Sequence, residues 1–357
     1  MKIVFDSLVF ALHEYGGVVT YWNEFIARFR QDGADLSILV VPANKYLNQQ
    51  FVEMAKSGLH CIPEQRRPLQ WLRNTSPRIS SVAERFIFHS NYLRVSSNRN
   101  AVNILTIHDF THQHFVKGLR GILNFHQKRR AILKADGIVC ISENTRRDLL
   151  RFFPAAKQKP LRVVHNGCSE GYLDPSRLEP VVTTPAPYIL FVGARGGYKN
   201  FTFMLEILKA SHYQLVVAGA GLNEDEAALV SDFRGRITVL ENVSDQSLKS
   251  LYQHAHAFVY PSLYEGFGIP LLEAMNCGCP VIAFSNSCIP EIMGDSPMLL
   301  KNNDLPGVLH MLKEIETNGN FRQLVINKQR EQAGNFSWAR AYNEMKDFYQ
   351  QMLEASA

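Results

Sequence analysis

The chain contains no run approaching the roughly 18 apolar residues of a membrane span. It also has no Cys-x-x-Cys pair, and no Gly-x-Gly-x-x-Gly follows its first apolar stretch. The first absence sets the expectation that the protein is not integral to a membrane. Six cysteines (61, 140, 168, 277, 279, 288) without paired spacing exclude a secreted disulfide scaffold and read as reduced cytosolic thiols. The missing glycine fingerprint sets aside a nicotinamide-dependent oxidoreductase, since "EYGGVVTYW" does not supply it. No nucleic-acid recognition motif, internal repeat or low-complexity tract is present, so nucleic acid is not an expected partner. The start, "MKIVFDSLVFAL", carries Asp6 and no small-residue cleavage site, and it reads as a first strand rather than a secretory signal.

Charge is present but unevenly shared. Residues 1–168 hold 24 Lys+Arg against 12 Asp+Glu, a balance of +12, while 169–357 come to −7 within a total of +5. A basic half fits an anionic membrane surface, a phosphorylated substrate or nucleic acid, and charge alone does not choose among them.

At 357 residues the length favours two domains. "KIVF", "LSILVV", "VNILTI", "GIVCIS" and "LRVVHNG" are strand candidates in the first half; "YILFVG", "YQLVVAG", "ITVLENV", "AFVYPS" and "PVIAF" follow in the second. Short Val/Ile-rich runs separated by helical patterns imply α/β architecture, with parallel sheets in two successive Rossmann-like units. The expected division is 1–168 as a first domain, 169–187 as linker, 188–335 as a second domain and 336–357 as a closing helix. That helix is read from the spacing of Trp338, Tyr342, Met345, Phe348, Tyr349 and Met352.

The densest chemistry lies in "PSLYEGFGIPLLEAM", where Glu265 and Glu273 flank a Gly-Phe-Gly turn. Pro270 is placed as the first helical residue, which puts Glu273 in the first turn. The glycines leave backbone N–H groups open at a helix's positive end, which suits a phosphate. A carboxylate beside an anion site needs another task, and accepting hydrogen bonds from a sugar diol is one. The pattern therefore suggests a nucleotide sugar. The plainer alternative makes Glu273 a partner of the helix dipole and Glu265 a solvated loop residue.

Glu-x7-Glu in "EGFGIPLLEAMNCGCPVIA" resembles the signature of the retaining GT-B glycosyltransferases of family 4. "FVGARGGYKNF", "CISENTRRDLL", "VVHNG", "SCIPEIMGD" and "FSWARA" resemble that family in the same order, so the resemblance covers essentially the whole chain. It implies two Rossmann-like domains facing each other across a catalytic cleft, 1–168 binding the acceptor and 188–335 the nucleotide sugar, with the C-terminal helix 336–357 crossing back. It implies further that Arg195 and Lys199 hold the donor diphosphate, that Glu265 orients the sugar and that Glu273 holds the ribose. The Gly266, Phe267, Gly268 and Ile269 backbone then meets the phosphate, with Gly16, Gly17 and Val243 completing the donor-binding set. His108 faces the transferred sugar and Asp109 the sugar or the acceptor hydroxyl. In such retaining enzymes the departing phosphate oxygen takes the acceptor's proton, so catalysis is mostly positioning and electrostatics.

No Asp-x-Asp occurs, and the expectation is that no metal and no cofactor are required, the nucleotide sugar being substrate. "NEDE" at 223–226 reads as a helix N-terminus, and His112 and His114 beside His108 lack an evident fourth ligand. "RGGYKN" is reminiscent of mannosyltransferases of bacterial surface polysaccharide, including O-antigen, which favours GDP-mannose. UDP-sugars and a non-catalytic nucleotide-sugar binder stand as alternatives. The segment 114–134, "HFVKGLRGILNFHQKRRAILK", mixes apolar residues with Lys128, Arg129, Arg130 and other cations. It reads either as an interfacial helix bringing a cytoplasmic protein to the anionic inner membrane face and a lipid-linked saccharide acceptor, or as an ordinary helix with a basic solvated side.

Overall fold

The structure, a computed structural model describing residues 1–41, 46–64, 69–73 and 75–355, divides into two units. One comprises Met1–Asn166 with Trp338–Ala357, the other Gly167–Ser337. The last two residues of the expected closing segment lie outside the described residues.

In the first unit seven parallel strands are β1 (Lys2–Asp6), β2 (Asp35–Val40), β3 (His60–Pro63), β4 (Phe86–Ser90), β5 (Ala101–Ile107), β6 (Gly137–Cys140) and β7 (Leu161–Val163). Their order is β3-β2-β1-β4-β5-β6-β7. The second unit holds β8 (Tyr188–Val192), β9 (Gln214–Ala218), β10 (Ile237–Leu240), β11 (Ala257–Tyr260), β12 (Val281–Phe284) and β13 (Leu299–Leu300), ordered β10-β9-β8-β11-β12-β13. In each sheet the winding reverses beside its first strand, between β1 and β4 and between β8 and β11. Open parallel sheets receive ligands outside the carboxyl ends of the strands at such a reversal.

All ten strand candidates form strands; the inner ones are short apolar runs buried nearly throughout, while the edge strands β7 and β10 are only half-buried. In the second unit Met204, Ile207 and Leu208 of the helix Phe201–Lys209 join Leu215, Val217 and Val259 in one core. β3, β4 and β13 are additional. β4 reads "FIFHS", with only three apolar residues before two polar ones, yet all five are buried. His89 is tolerated there because both ring nitrogens are bonded, Nδ1 to the Tyr349 hydroxyl at 2.5 Å and Nε2 to the Thr106 hydroxyl at 2.8 Å.

The helix Trp338–Glu354 belongs to the first unit, and all six residues that defined its spacing are buried. Tyr349 stacks on Phe29 with ring centroids 5.4 Å apart. Gly137 gives the helix room, since a Cβ there would lie 2.9 Å from Phe348 Cζ. Residues 169–187 are counted with the second unit and include the short helix Glu170–Leu173. Leu178 N donates to Gln253 and Ser250 donates to Glu179 O, which ties this stretch to the helix Asp245–His254.

Candidate functional site

Two loops at the β8/β11 reversal carry Arg195, Lys199, Glu265 and the 266–269 backbone, a part of the expected site. β8 ends at Val192, and Gly193, with φ +110°, turns the chain outward. The loops approach closely enough that a Cβ on Gly219, just beyond β9, would lie 2.6 Å from the Gly193 carbonyl. Arg195 is fixed in this turn, its Nη2 donating to Gly221 O at 2.6 Å and to Glu226 Oε2 at 2.8 Å. Its side chain is only 3% exposed, and Nε and Nη1 are buried without a hydrogen-bond partner. A buried donor with no acceptor costs free energy, and the commonest remedy is a ligand or an ordered water. Glu226 is in turn locked by the capping box of the helix Glu224–Leu229, where it accepts from Asn223 N at 3.0 Å. The Arg195 guanidinium holds its carboxyl below the usual range. "NEDE" is thus a helix N-terminus, and its last residue is also the counter-ion of Arg195.

Lys199 closes a short turn, Gly197–Lys199, before the left-handed Asn200. Its Nζ lies 2.7 Å from Glu265 Oε1, with side-chain exposures of 15% and 11%. Leu263 N donates to Tyr198 O at 2.7 Å, which joins the loop after β8 to the loop after β11. Burial, then the neighbouring Glu265 carboxylate, drives the Tyr260 hydroxyl well above its ordinary range.

Glu265 N donates to the Ser287 hydroxyl at 3.0 Å, fixing the start of the Gly-Phe-Gly turn. Gly268 has φ +98° and caps the helix Ile269–Asn276, which makes Ile269 the first helical residue and Pro270 the second. Glu273 is therefore the fifth, beyond the first turn, contrary to the sequence expectation, because the left-handed glycine starts the helix one residue early. The same shift removes the helix-dipole alternative for Glu273, since the dipole's effect fades within that turn. The Glu273 carboxylate accepts from the Tyr252 hydroxyl at 3.1 Å, and burial pushes its pKa up to about 7. Phe267 is 3% exposed and packs edge-on against Phe336, so its backbone alone can serve a ligand. Val243 lies in the loop after β10, which ends at Leu240 rather than continuing through "ENV". It is half-buried and two strands removed from β8.

In the first unit a cavity of about 550 Å³ opens at the β1/β4 reversal, lined by Gly16, Gly17, Asn91, His108, Asp109 and Lys128 among others. Gly16, with φ +123°, caps the helix Gly17–Gln31 and directs its first amides to this cavity. His108 follows β5, its ring edge-on to Tyr21 at 4.9 Å. Burial lowers its pKa to about 4, Asp109 opposing and Lys128 adding to the shift, so the imidazole is neutral near pH 7. Asp109 Oδ1 accepts from Thr111 N at 3.0 Å, which turns the chain into the helix Thr111–Phe115.

Lys128 departs from expectation. It was read as one of three solvent-facing cations, but it is 5% exposed and points inward. Its Nζ donates to Asp109 O at 2.7 Å and Gln113 Oε1 at 2.9 Å and sits 4.3 Å over the Phe110 ring. On the helix Leu119–Lys134, residues 128 and 130 project about 200° apart, so one of them must face the core. Burial brings the Lys128 ammonium down to about 8. Asn91, whose side chain bridges Asp6 O and Val9 N, was also missed; its amide fixes the loop after β4 to the end of β1.

His114 pairs with Asp148 at 3.0 Å, away from His108. Among the described residues no group of three or more His, Cys, Asp or Glu side chains is placed to hold a metal ion. A more open hollow of about 500 Å³ beside β7 contains none of the expected site residues.

Comparison with known proteins gives two family matches: "Glycosyltransferase Family 4" over residues 15–170 and "Glycosyl transferases group 1" over 178–332. The chain is 30% identical over 220 residues to O-antigen chain mannosyltransferase B of Escherichia coli, covering 56% of this chain and 57% of that protein. It is 31% identical over 135 residues to an O-antigen chain mannosyltransferase of Salmonella typhimurium, covering 36% and 38%. The matches thus span little more than half of the first relative and less of the second. The sucrose-phosphate synthase of Thermosynechococcus elongatus superposes with a TM-score of 0.74 over 99% of both chains at 18% identity, which shows a shared GT-B fold.

Proposed function

Because the chain belongs to glycosyltransferase family 4, we propose that it transfers a hexose, mannose from GDP-mannose, to a saccharide or lipid-linked saccharide acceptor in bacterial surface polysaccharide synthesis. The observation that carries this reading is Arg195: a nearly sealed guanidinium with Nε and Nη1 unpartnered, at the sheet reversal where the Lys199–Glu265 pair also lies. The mannosyl assignment is supported by the names of the two bacterial relatives.

In the proposed reaction the bond from the anomeric carbon to the donor phosphate oxygen breaks and the acceptor oxygen bonds to the same face of that carbon. The acceptor's proton passes to the departing phosphate oxygen, and configuration is retained. Arg195 and Lys199 stabilise the charge that develops on the diphosphate, in a site where water is largely excluded. They supply the positive charge that a metal ion brings elsewhere, so the reaction is proposed to be metal-independent. Glu265, held by Lys199, accepts from sugar hydroxyls, and Glu273 accepts from the ribose diol. Neutral His108 offers a hydrogen bond to the sugar without adding charge. The six cysteines are free thiols, which fits a cytoplasmic setting where nucleotide sugars are made.

Thermal stabilisation of the metal-free protein by GDP, UDP, ADP, GDP-mannose and UDP-sugars tests the donor. GDP and GDP-mannose are expected to raise the melting temperature, and Glu273→Ala to abolish the effect. A preference for UDP moves the donor to a UDP-sugar, and no response to any nucleotide overturns the reading. Binding without turnover on any saccharide acceptor would leave a nucleotide-sugar binder.

A further inference from the structure

The helix Leu119–Lys134 buries Lys128, Ala131 and Ile132 and leaves most of its large aliphatic side chains outside. An ordinary surface helix buries its aliphatic stripe and exposes its cations. Here Leu119, Ile122, Leu123 and Leu133 share the outer face, with exposures of 70%, 54%, 60% and 47%, while Lys128 is inside. Phe115, at the end of the preceding short helix, is 44% exposed and extends the apolar surface. On the neighbouring helix Leu69–Leu72, Trp71 is 64% exposed. Gln127 Nε2 donates to Arg73 O at 2.6 Å and holds the end of that short helix against the longer one. Large apolar side chains exposed together on one face in this way mark an interaction surface.

Charge narrows the partner. From residue 110 to 135 there is no Asp or Glu, while Lys117, Arg120, Arg129, Arg130 and Lys134 all lie exposed around the apolar residues. Leucine, tryptophan and phenylalanine set among exposed cations suit the interface of an anionic bilayer, where the apolar groups enter the acyl boundary and the cations meet the headgroups. At 16 residues the helix is too short to cross, and no described helix is long and apolar enough to do so.

The inner side of the same helix connects this patch to the chemistry. Asn124 and Lys128 form part of the wall of the cavity that contains His108 and Gly16. We propose that the outer face of Leu119–Lys134, with Phe115 and Trp71, is a docking surface for an anionic lipid bilayer, setting the His108 cavity beside the membrane so that a saccharide carried on an embedded lipid enters it. The acceptor half of this proposal rests on the transferase reading above; the bilayer contact does not.

Flotation of the full chain with vesicles separates the two. Vesicles of phosphatidylcholine alone and of phosphatidylcholine mixed with phosphatidylglycerol are compared for the native protein, Ile122→Glu/Leu123→Glu and Arg129→Glu/Arg130→Glu. The native protein is expected to float with the anionic vesicles, to be released by salt and to ignore the neutral ones. Each double variant should weaken binding about tenfold or more, with an unchanged circular dichroism spectrum and cooperative melting confirming that it is folded. No binding to anionic vesicles, or binding indifferent to both variants, overturns the proposal. A native dimer in light scattering that either variant converts to monomer, without vesicle binding, assigns the face to a second copy instead. Because flotation needs no donor, failure of the transferase reading would appear only in the nucleotide panel.

Discussion

Glu226 Oε2 touches two groups at once: Arg195 Nη2 at 2.8 Å and the Asn223 amide at 3.0 Å. One carboxylate thereby closes a helix cap and aims a guanidinium whose other nitrogens are unpartnered. Glu226→Gln retains an acceptor oxygen but removes the opposing charge, so Arg195 is left more positive. Nucleoside diphosphate is then expected to bind several-fold tighter, with turnover limited by its release. Glu226→Ala removes the aim as well as the charge, so diphosphate binding should weaken and about 1 kcal/mol of cap stability should be lost. Calorimetry with GDP on the two variants checks this; equal effects in both would mean that Glu226 acts through the cap alone.

Glu273 sets a pH dependence. Its folded pKa of about 7 lies above the ordinary 4.5. Above about pH 7 the carboxyl is ionised in both folded and unfolded chains, and the burial cost is fully present. As pH falls from 7 towards 4.5 the folded protein takes up a proton that the unfolded chain does not, and this group's contribution to stability improves. Nucleotide affinity runs the opposite way, because a diol donates better to the ionised carboxylate. GDP affinity is expected to fall as pH drops through 7, with proton release on binding near that pH, and Glu273→Gln should bind weakly with a flat profile. Titration in buffers of different ionisation heat checks both points.

His108, held to about 4, contributes no inflection near its usual 6.5. A pH–rate profile of His108→Asn should therefore be lower throughout yet retain the acid limb of the native protein. Loss of that limb would transfer the titration from Glu273 to the imidazole.

Lys128→Met should leave nucleotide binding intact while lowering transfer by about tenfold or more, since it frees the Asp109 carbonyl and Gln113 that shape the cavity. Because the ammonium's folded value of about 8 lies below its ordinary 10.5, its burial cost is present below pH 8 and diminishes between 8 and 10.5. The native protein should gain stability relative to the variant across that interval, which denaturant titrations at several pH values measure.

The fold was legible wherever strands were continuous apolar runs. It was illegible at β4, where His89 and Ser90 look like loop residues until Tyr349, some 260 positions away, supplies a hydroxyl. Arg195, Lys199 and Glu265 were legible because they follow strand ends within a few residues. Glu226 was read correctly as part of a helix start but not as the partner of Arg195, since that pairing joins two loops across space. The capping-box pattern was the available signal: it fixes where the glutamate folds back. Lys128 was misread because adjacent basic letters suggest one surface, whereas a helix distributes them around its axis.

The closing helix has a consequence for how the protein is made. Trp338, Tyr342, Met345, Phe348, Tyr349 and Met352 are buried as part of the first unit, yet they are translated only after the whole of the second unit. The second unit, continuous from Gly167 to Ser337, is made in one piece between the two parts of the first. The first unit emerges earlier but waits, with the aromatic surface around Phe29 and His89 uncovered, until the helix Trp338–Glu354 has followed the second unit out of the ribosome. The unit that starts first is thus completed only after its neighbour has been made, and the slower the intervening residues are translated, the longer its aromatic surface stays open to wrong contacts.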